Sequence, residues 1–485
     1  VVFSTLLFLF YFLPIFLFFY YISPKNVFFK NVIFLAASLF FYFWGEKIFI
    51  CVLIFSILTN YCIGLALQKE SNNRKIFLAL GIALNILVLI LFKYTPFIAE
   101  NIANLFNIKN IQTPNWNLAL NVHLPLGISF FTFQGVSYII DIYRKDAEAE
   151  TSLLNLGLYI SMFPQLIAGP IVRFKEISKS IKKRTYSISS IVHGINLFII
   201  GLAYKVLLAN TVALPADKIF ALGEKSISFG LAWMGTICYT LQIYFDFCGY
   251  STMAIGLGLM LGIKFPVNFN FPYIAQSITE FWRRWHITLS QWFRDYLYIP
   301  LGGNRLGDVK TYRNLLLVFA LCGIWHGASW AFIIWGLYHG FFLVIERLGV
   351  KQILNKIPSL FRYVYTILVV MIGWVFFRAD TFDKAYYFLK AMFGFGIGTE
   401  NAIYFTEVIQ LNVIIAIFLG FFLATPIINN LFFGKKRGWS TLSELSAFPK
   451  SDNGILWHLL LFAIFLLCIF SLTNQTYNPF IYFRF

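Results

Sequence analysis

The run LCGIWHGASWAFIIWGLYHG, residues 321–340, sets an imidazole, His326, deep in an apolar stretch. Arg313 is the nearest basic residue before it and marks a water-facing surface. From 313 to 326, an unbroken helix rising ~1.5 Å per residue carries the side chain about 20 Å inward. A hydrocarbon core is ~30 Å thick. An ionisable group at that depth is costly and reads as functional by default. A neutral imidazole there is suited to general-base work. Trp325 adjoins it as a supporting candidate. Gly323 and Gly327 bracket it as GxxxG, which removes bulk and admits a close neighbour. The competing reading is plain helix packing around a neutral, hydrogen-bonded histidine.

Other groups could take part. His339 follows thirteen residues later, between Tyr338 and Gly340. His286 lies in AQSITEFWRRWHITLSQWFRDYLYI, residues 275–299. There Ile278, Phe281, Trp282, Trp285, Leu289, Trp292, Phe293 and Tyr296 recur at helical spacing. Read as helix throughout, they make a face roughly 120° wide, with Arg283, Arg284, Arg294, Glu280 and Asp295 opposite. Such a segment belongs at a membrane interface, with His286 about 80° from the stripe's centre, on the border of the two faces. Asp246, in LQIYFDFCGYSTMAIGLG, is an acid within an apolar run; it could orient His326 or His286, or pair with a buried Arg. Asp141 adjoins Arg144 and reads as part of an interface pair. His123, His193 and His458 read as structural or interfacial. Gly256, Gly258 and Gly262 lack a βαβ context, so helix packing explains them better than a nucleotide loop. No GxSxG elbow, P-loop or HExxH occurs. An enzyme built on this chain would therefore use an intramembrane histidine as its base.

The elements that must position these groups are helices in lipid. Of 485 residues, 59% are hydrophobic and 12% charged, against about 25% charged in a soluble domain. Phe alone supplies 58 residues, and the mean hydropathy is +0.74. That predicts an all-α integral membrane protein. Apolar runs lie near 1–22, 27–45, 47–67, 75–95, 118–140, 188–209, 228–262, 312–347, 361–377, 411–433 and 455–472. The run 312–347 is long enough for two helices, and 228–262 is expected to be broken. Residues 151–170 contain Pro164, Gly169 and Pro170 and read as a re-entrant hairpin, tolerable only if buried in protein. Val1–Tyr21 has no basic residue ahead of it and reads as a retained first span.

Basic loops at Lys25 and Lys30, at Lys69, Arg74 and Lys75, at Arg173–Arg184 and at Lys435–Arg437 mark the cytoplasmic side. Both termini then fall outside the cytoplasm. The net charge of +17 is explained mainly by such loops, then by anionic lipid, then by a polyanionic substrate such as coenzyme A. Nucleic acid is excluded because the basic residues are scattered among apolar runs. The six cysteines form no CxxC pair and sit mostly in apolar runs, so neither a disulfide framework nor a metal site is expected.

Four blocks carry a resemblance: PLGISFFTFQGVSYIIDIYR from Pro125, FPQLIAGPIVRF from Phe163, YFDFCGYSTMAIGLG through ITEFWRRWHITLSQWFRDYLYIPLGGNR to Arg305, and GIWHGASWAFIIWGLYHG from Gly323. They resemble the membrane-bound O-acyltransferase (MBOAT) superfamily, in its bacterial branch of alginate and peptidoglycan O-acetyltransferase membrane subunits. The resemblance implies one polytopic domain, residues 1–485. About eleven transmembrane helices, with re-entrant and amphipathic interfacial helices, surround a central tunnel, and residues 120–345 form the catalytic core. It makes His326 the catalytic histidine and His286 a second polar position. The tail, residues 473–485, ends in FIYFRF outside the membrane, and Tyr482 is either a transient acyl carrier or an interfacial anchor.

The implied chemistry takes acetyl from acetyl-CoA as a substrate, with no permanently bound cofactor. Its phosphates would be held by Arg173, or by Arg305 and Arg313. The acetyl group would pass to an extracytoplasmic SGNH-hydrolase-like partner enzyme that acetylates a glycan beyond the bacterial inner membrane. The Phe, Ile, Asn and Lys bias suggests an AT-rich genome and favours peptidoglycan as acceptor over alginate. D-alanylation fits less well, because the tyrosine tail is part of the main chain. A glycan-precursor transporter or flippase would also carry deep polar groups and broken helices, but no internal repeat is present. A catalytically silent scaffold is the third reading.

Overall fold

A computed structural model describes residues 3–70, 72–106, 122–395, 408–427, 454–474 and 477–481. Within them the chain is helical, with no strand. Among the described residues, six helices are long and apolar enough to cross a membrane: Val27–Gln68, Arg74–Leu105, Ile188–Phe220, Trp330–Lys356, Ser359–Arg378 and Ile455–Asn474. Phe8–Ile22 and Leu411–Leu423 are shorter apolar helices. Their lipid-facing positions account for the many exposed Phe, Leu and Ile side chains.

Several expectations need adjusting. Phe229–Met260 is one continuous helix of 32 residues, not a broken one. Its glycines explain this, since they pack closely without needing a kink: a Cβ on Gly249 would lie 2.7 Å from the Gly201 carbonyl. The run 312–347 does form two helices, Asp308–His326 and Trp330–Ile345. Within the run 118–140, the described helix is Ile128–Tyr143, and nearly all of it is buried. The basic run Lys435–Arg437 lies outside the described residues.

The chain forms two compact units, Val1–Ile195 with Ala254–Phe265, and Asn196–Met253 with Pro266–Phe485. In the first, the expected re-entrant stretch is a pair of short helices, Leu153–Ser161 and Phe163–Leu166. Every residue from Leu156 to Val172 is buried, as irregular backbone at membrane depth requires. Phe163 is the hub of an aromatic cluster, with Phe12 and Phe16 each 5.3 Å away edge-on and Phe34 at 5.6 Å. Gly127, at φ +75°, starts the helix Ile128–Tyr143; a Cβ there would lie 2.3 Å from the Leu166 carbonyl. The carboxylate of Asp141 is fully buried and pairs with Lys175 at 3.0 Å. Gly262, at φ +76°, closes the helix that ends at Met260, which is a capping role.

Candidate active site

The second unit holds both candidate histidines. His326 is the last residue of Asp308–His326. The chain then turns through Gly327, Ala328 and Ser329 into Trp330–Ile345. Glycine makes this hairpin possible. A Cβ on Gly323 would sit 2.2 Å from the Phe332 carbonyl, and one on Gly336 would sit 2.2 Å from that of Phe319. At Gly327 it would meet the Phe332 ring at 2.1 Å. Gly323 therefore serves backbone approach and Gly327 makes room for the Phe332 ring, the close packing their spacing suggested.

His326 is 6% exposed. Trp325, Trp335 and Phe377 wall it, with ring centroids at 4.9, 5.0 and 5.3 Å. Beside it is a void of about 10 Å³ lined by Phe247, Trp285, Trp374, Phe377 and Ile481 among others. That is room for about one water, so the expected tunnel is closed at this point.

His286 is fully buried, and the segment around it is not one amphipathic helix. It is broken into Ile278–Arg284 and Ile287–Phe293, with His286 between them at φ +43°. The predicted apolar stripe is buried throughout, but the break turns His286 inward from the border where a continuous helix would have put it. A left-handed non-glycine residue of this kind persists only when its surroundings over-determine it. Asn268 does so. Its backbone carbonyl accepts from the Ile287 amide at 2.9 Å. Its side-chain oxygen accepts from Thr288 Oγ1 at 2.9 Å and from the Thr288 amide at 3.3 Å, and His286 Nδ1 lies 3.0 Å from the same oxygen. An amide oxygen only accepts, so Nδ1 carries a proton. Nε2 is buried and has no hydrogen-bond partner. In the neutral ring it presents a lone pair.

The helix that leads to His286 is itself pinned at its start. Glu346 is buried and accepts from the Ile278 amide at 2.6 Å and from the Thr279 amide and hydroxyl at 2.9 and 2.6 Å. A carboxylate at a helix N-terminus satisfies orphan donors and complements the dipole. Ser277 caps the Glu280 amide.

The remaining candidates are dispersed. His339 is fully buried between Trp282 and Trp335, at 5.1 and 5.3 Å, and Trp335 also touches His326. Both nitrogens of His339 lack partners. Asp246 orients neither histidine and pairs with no arginine; its partner is Lys205 at 2.8 Å, both side chains buried. The reason is topological: Lys205 comes from the preceding span, and Gly201 and Gly249 let the two helices touch. Arg173 belongs to the first unit, where it pairs with Glu176 at 3.0 Å. Arg305 and Arg313 are exposed in the second. Neither of them lines a cavity in this unit that is larger than the void at His326: it measures about 390 Å³, and its walls include Trp282, Arg283, Arg294, Leu315, Phe319 and Cys322. Tyr482 lies outside the described residues, but the tail just before it, 477–481, is in place. Phe480 and Ile481 are buried, so this part of the tail is no free extension.

Sequence reasoning passed over Lys205, Asn268 and Glu346. Lys205 did carry a signal, as a cation within the apolar run 188–209, where charge reads as functional by default. Glu346 carried a weaker one at the end of another run. Asn268 had none.

Against this geometry, the family model for MBOAT, the membrane-bound O-acyltransferase family, matches residues 86–379. A protein described as a probable alginate O-acetylase from Azotobacter vinelandii is 39% identical over 511 residues, covering all of both chains. The peptidoglycan O-acetyltransferase of Helicobacter pylori is 40% identical, covering 81% of this chain and 80% of its own. The teichoic acid D-alanyltransferase of Bacillus subtilis is 32% identical, covering 57% and 69%. An acyltransferase therefore replaces the transporter and scaffold readings, and the chain is a multi-pass membrane protein that belongs to the membrane-bound O-acyltransferase family.

Proposed function

We propose that the chain takes an acetyl group from cytoplasmic acetyl-CoA and hands it, through its own Tyr482 and then an extracytoplasmic partner enzyme, to hydroxyls of peptidoglycan. The observation that carries this reading is that one small void is lined by both His326 and Ile481, the residue next to Tyr482.

The donor enters by the larger cavity. Leu315, Val318, Phe319 and Cys322 line it and share one helix face by their spacing. It thus runs ~10 Å along that helix and ends one turn short of His326. Its apolar wall suits a pantetheine arm, and Arg283 and Arg294 suit phosphates. His326 takes the proton of the Tyr482 hydroxyl. The phenolic oxygen attacks the thioester carbonyl, the carbon–oxygen bond forms and the carbon–sulfur bond breaks. The proton goes from His326 to the departing thiolate. Charge on the carbonyl oxygen is met by a backbone N–H, or by His286 when Nε2 is also protonated. Only the acyl group crosses the bacterial inner membrane, with both termini on the far side.

Purified protein given labelled acetyl-CoA should release free thiol and carry one acetyl group on its C-terminal peptide. If Tyr482→Phe releases thiol and supplies the partner as fast as the parent, the tail is not the carrier. A second reading, acetylation of alginate or a similar exported polymer, is favoured by the full-length match to the Azotobacter vinelandii protein. In cells lacking the chain, loss of O-acetyl from muropeptides supports peptidoglycan. Loss from secreted polysaccharide alone assigns the second reading.

A further inference from the structure

We infer that Lys205 and Asp246 form a buried latch that holds residues 477–481 of the C-terminal tail in register, with Ile481 against the His326 void. The inference rests on the proposed carrier role for its catalytic meaning, but the latch itself can be tested without it. The ammonium of Lys205 lies 2.8 Å from the Asp246 carboxylate, in a region where both side chains are buried. Removing such a pair from water costs more than the attraction returns unless further hydrogen bonds complete it. Here the tail supplies them. Lys205 Nζ also donates to the Pro479 carbonyl. Asp246 Oδ2 also accepts from the Ile481 amide at 2.9 Å. Both contacts are to main chain and they flank Phe480, whose ring packs on Tyr250 at 5.1 Å and lies 5.8 Å from the ammonium.

This arrangement reads register. A shift that brings Pro479 opposite Asp246 fails, because proline has no N–H to give. The seating is reinforced upstream. The Asn210 amide donates to Asn478 Oδ1 at 3.0 Å. The Tyr477 hydroxyl donates to Asp217, which also pairs with Arg378 at 2.5 Å. Lys205 and Asp246 are thus positioning residues: they touch the tail and not the acyl group.

Substitution within the pair can unfold the core, so the sharper test acts from the tail. Ile481→Pro deletes the amide that Asp246 accepts and leaves the pair intact; Ile481→Ala is the control for side-chain volume. Ile481→Pro should lower kcat for tail acetylation at least tenfold with the KM for acetyl-CoA unchanged. It should also speed amide exchange at residues 477–480 at least tenfold, with exchange elsewhere in the second unit unchanged. Ile481→Ala, which keeps the amide that Asp246 accepts, should leave exchange at residues 477–480 as slow as in the parent. Asp246→Asn should expose the amides of 477–481 in the same way. The latch is overturned if Ile481→Pro matches Ile481→Ala in both readouts, or if the tail amides stay protected in Asp246→Asn. Absence of acetyl on Tyr482 in the parent sinks the carrier reading, while the exchange measurements still judge the latch.

Discussion

Two imidazoles abut Trp325, with His286 at 6.3 Å and His326 at 4.9 Å between ring centroids, and different chemistry holds them. His286 shares one amide oxygen with two donors from Thr288 and sits in a strained backbone conformation. Its tautomer cannot change without breaking that set. His326 ends a helix inside a box of Trp325, Trp335 and Phe377. A base must bind a proton and release it within each cycle, and the hydrogen-bond set at His286 resists that. On the proposed function, proton transfer falls to His326 beside the void, and His286 takes a fixed, orienting role.

The comparison breaks most directly at His326. His326→Ala should lower thiol release from acetyl-CoA by about 10²–10⁴-fold, the usual worth of a positioned base, with little change in melting temperature. If His286→Ala causes the larger loss and His326→Ala the smaller, the two roles are reversed. Next in size is the hairpin that delivers His326. In Gly323→Ala the new methyl would meet the Phe332 carbonyl at 2.2 Å, so backbone must shift. That should cost about 1–3 kcal/mol, read as a lower melting temperature in detergent, together with lost activity. A variant as stable and active as the parent would mean the hairpin tolerates parting.

Asn268→Ala sharpens the other half. It strips the acceptor from the Thr288 amide, the Thr288 hydroxyl and His286 Nδ1. Stranded buried donors cost about 1–3 kcal/mol. With the imidazole no longer locked, kcat should drop about tenfold, a modest share of the general acid–base range. Ser251→Ala is the comparison, since it removes only the partner of the Asn268 amide nitrogen. Equal effects from the two substitutions would mean the lock on His286 does not matter to catalysis.

The same contrast explains what could be read from sequence. His326 was legible because apolar periodicity and the distance from Arg313 together set its depth, and because glycines at i−3 and i+1 announced a close neighbour. The two-helix reading of 312–347 rested on the same lengths and held. The stripe from Ile278 to Tyr296 was also legible as buried surface. The break inside it was not, since nothing local at Trp285–His286 forbids a helix. The break is imposed by Asn268, an isolated polar residue in a loop eighteen positions away. Tertiary hydrogen bonds of that kind leave no period to detect. Asp246 failed in a similar way: its charge was visible, but its partner, Lys205, came from a run read only for hydropathy.

His339 gives the smallest expected effect and the finest test of the contrast. It lies in an aromatic box as His326 does, behind Trp335, with neither nitrogen hydrogen-bonded. If aromatic enclosure alone made a base, His339 would qualify. It lacks access, because the residues lining the void at His326 do not include it. His339→Leu forfeits ring contacts worth about 1 kcal/mol and removes two unsatisfied polar atoms whose burial costs about as much. Melting temperature and kcat should therefore both stay close to the parent, with kcat within about twofold on the rate–barrier relation. A loss approaching that of His326→Ala would mean protons travel across Trp335, and the enclosure argument would then have to extend to a pair of histidines.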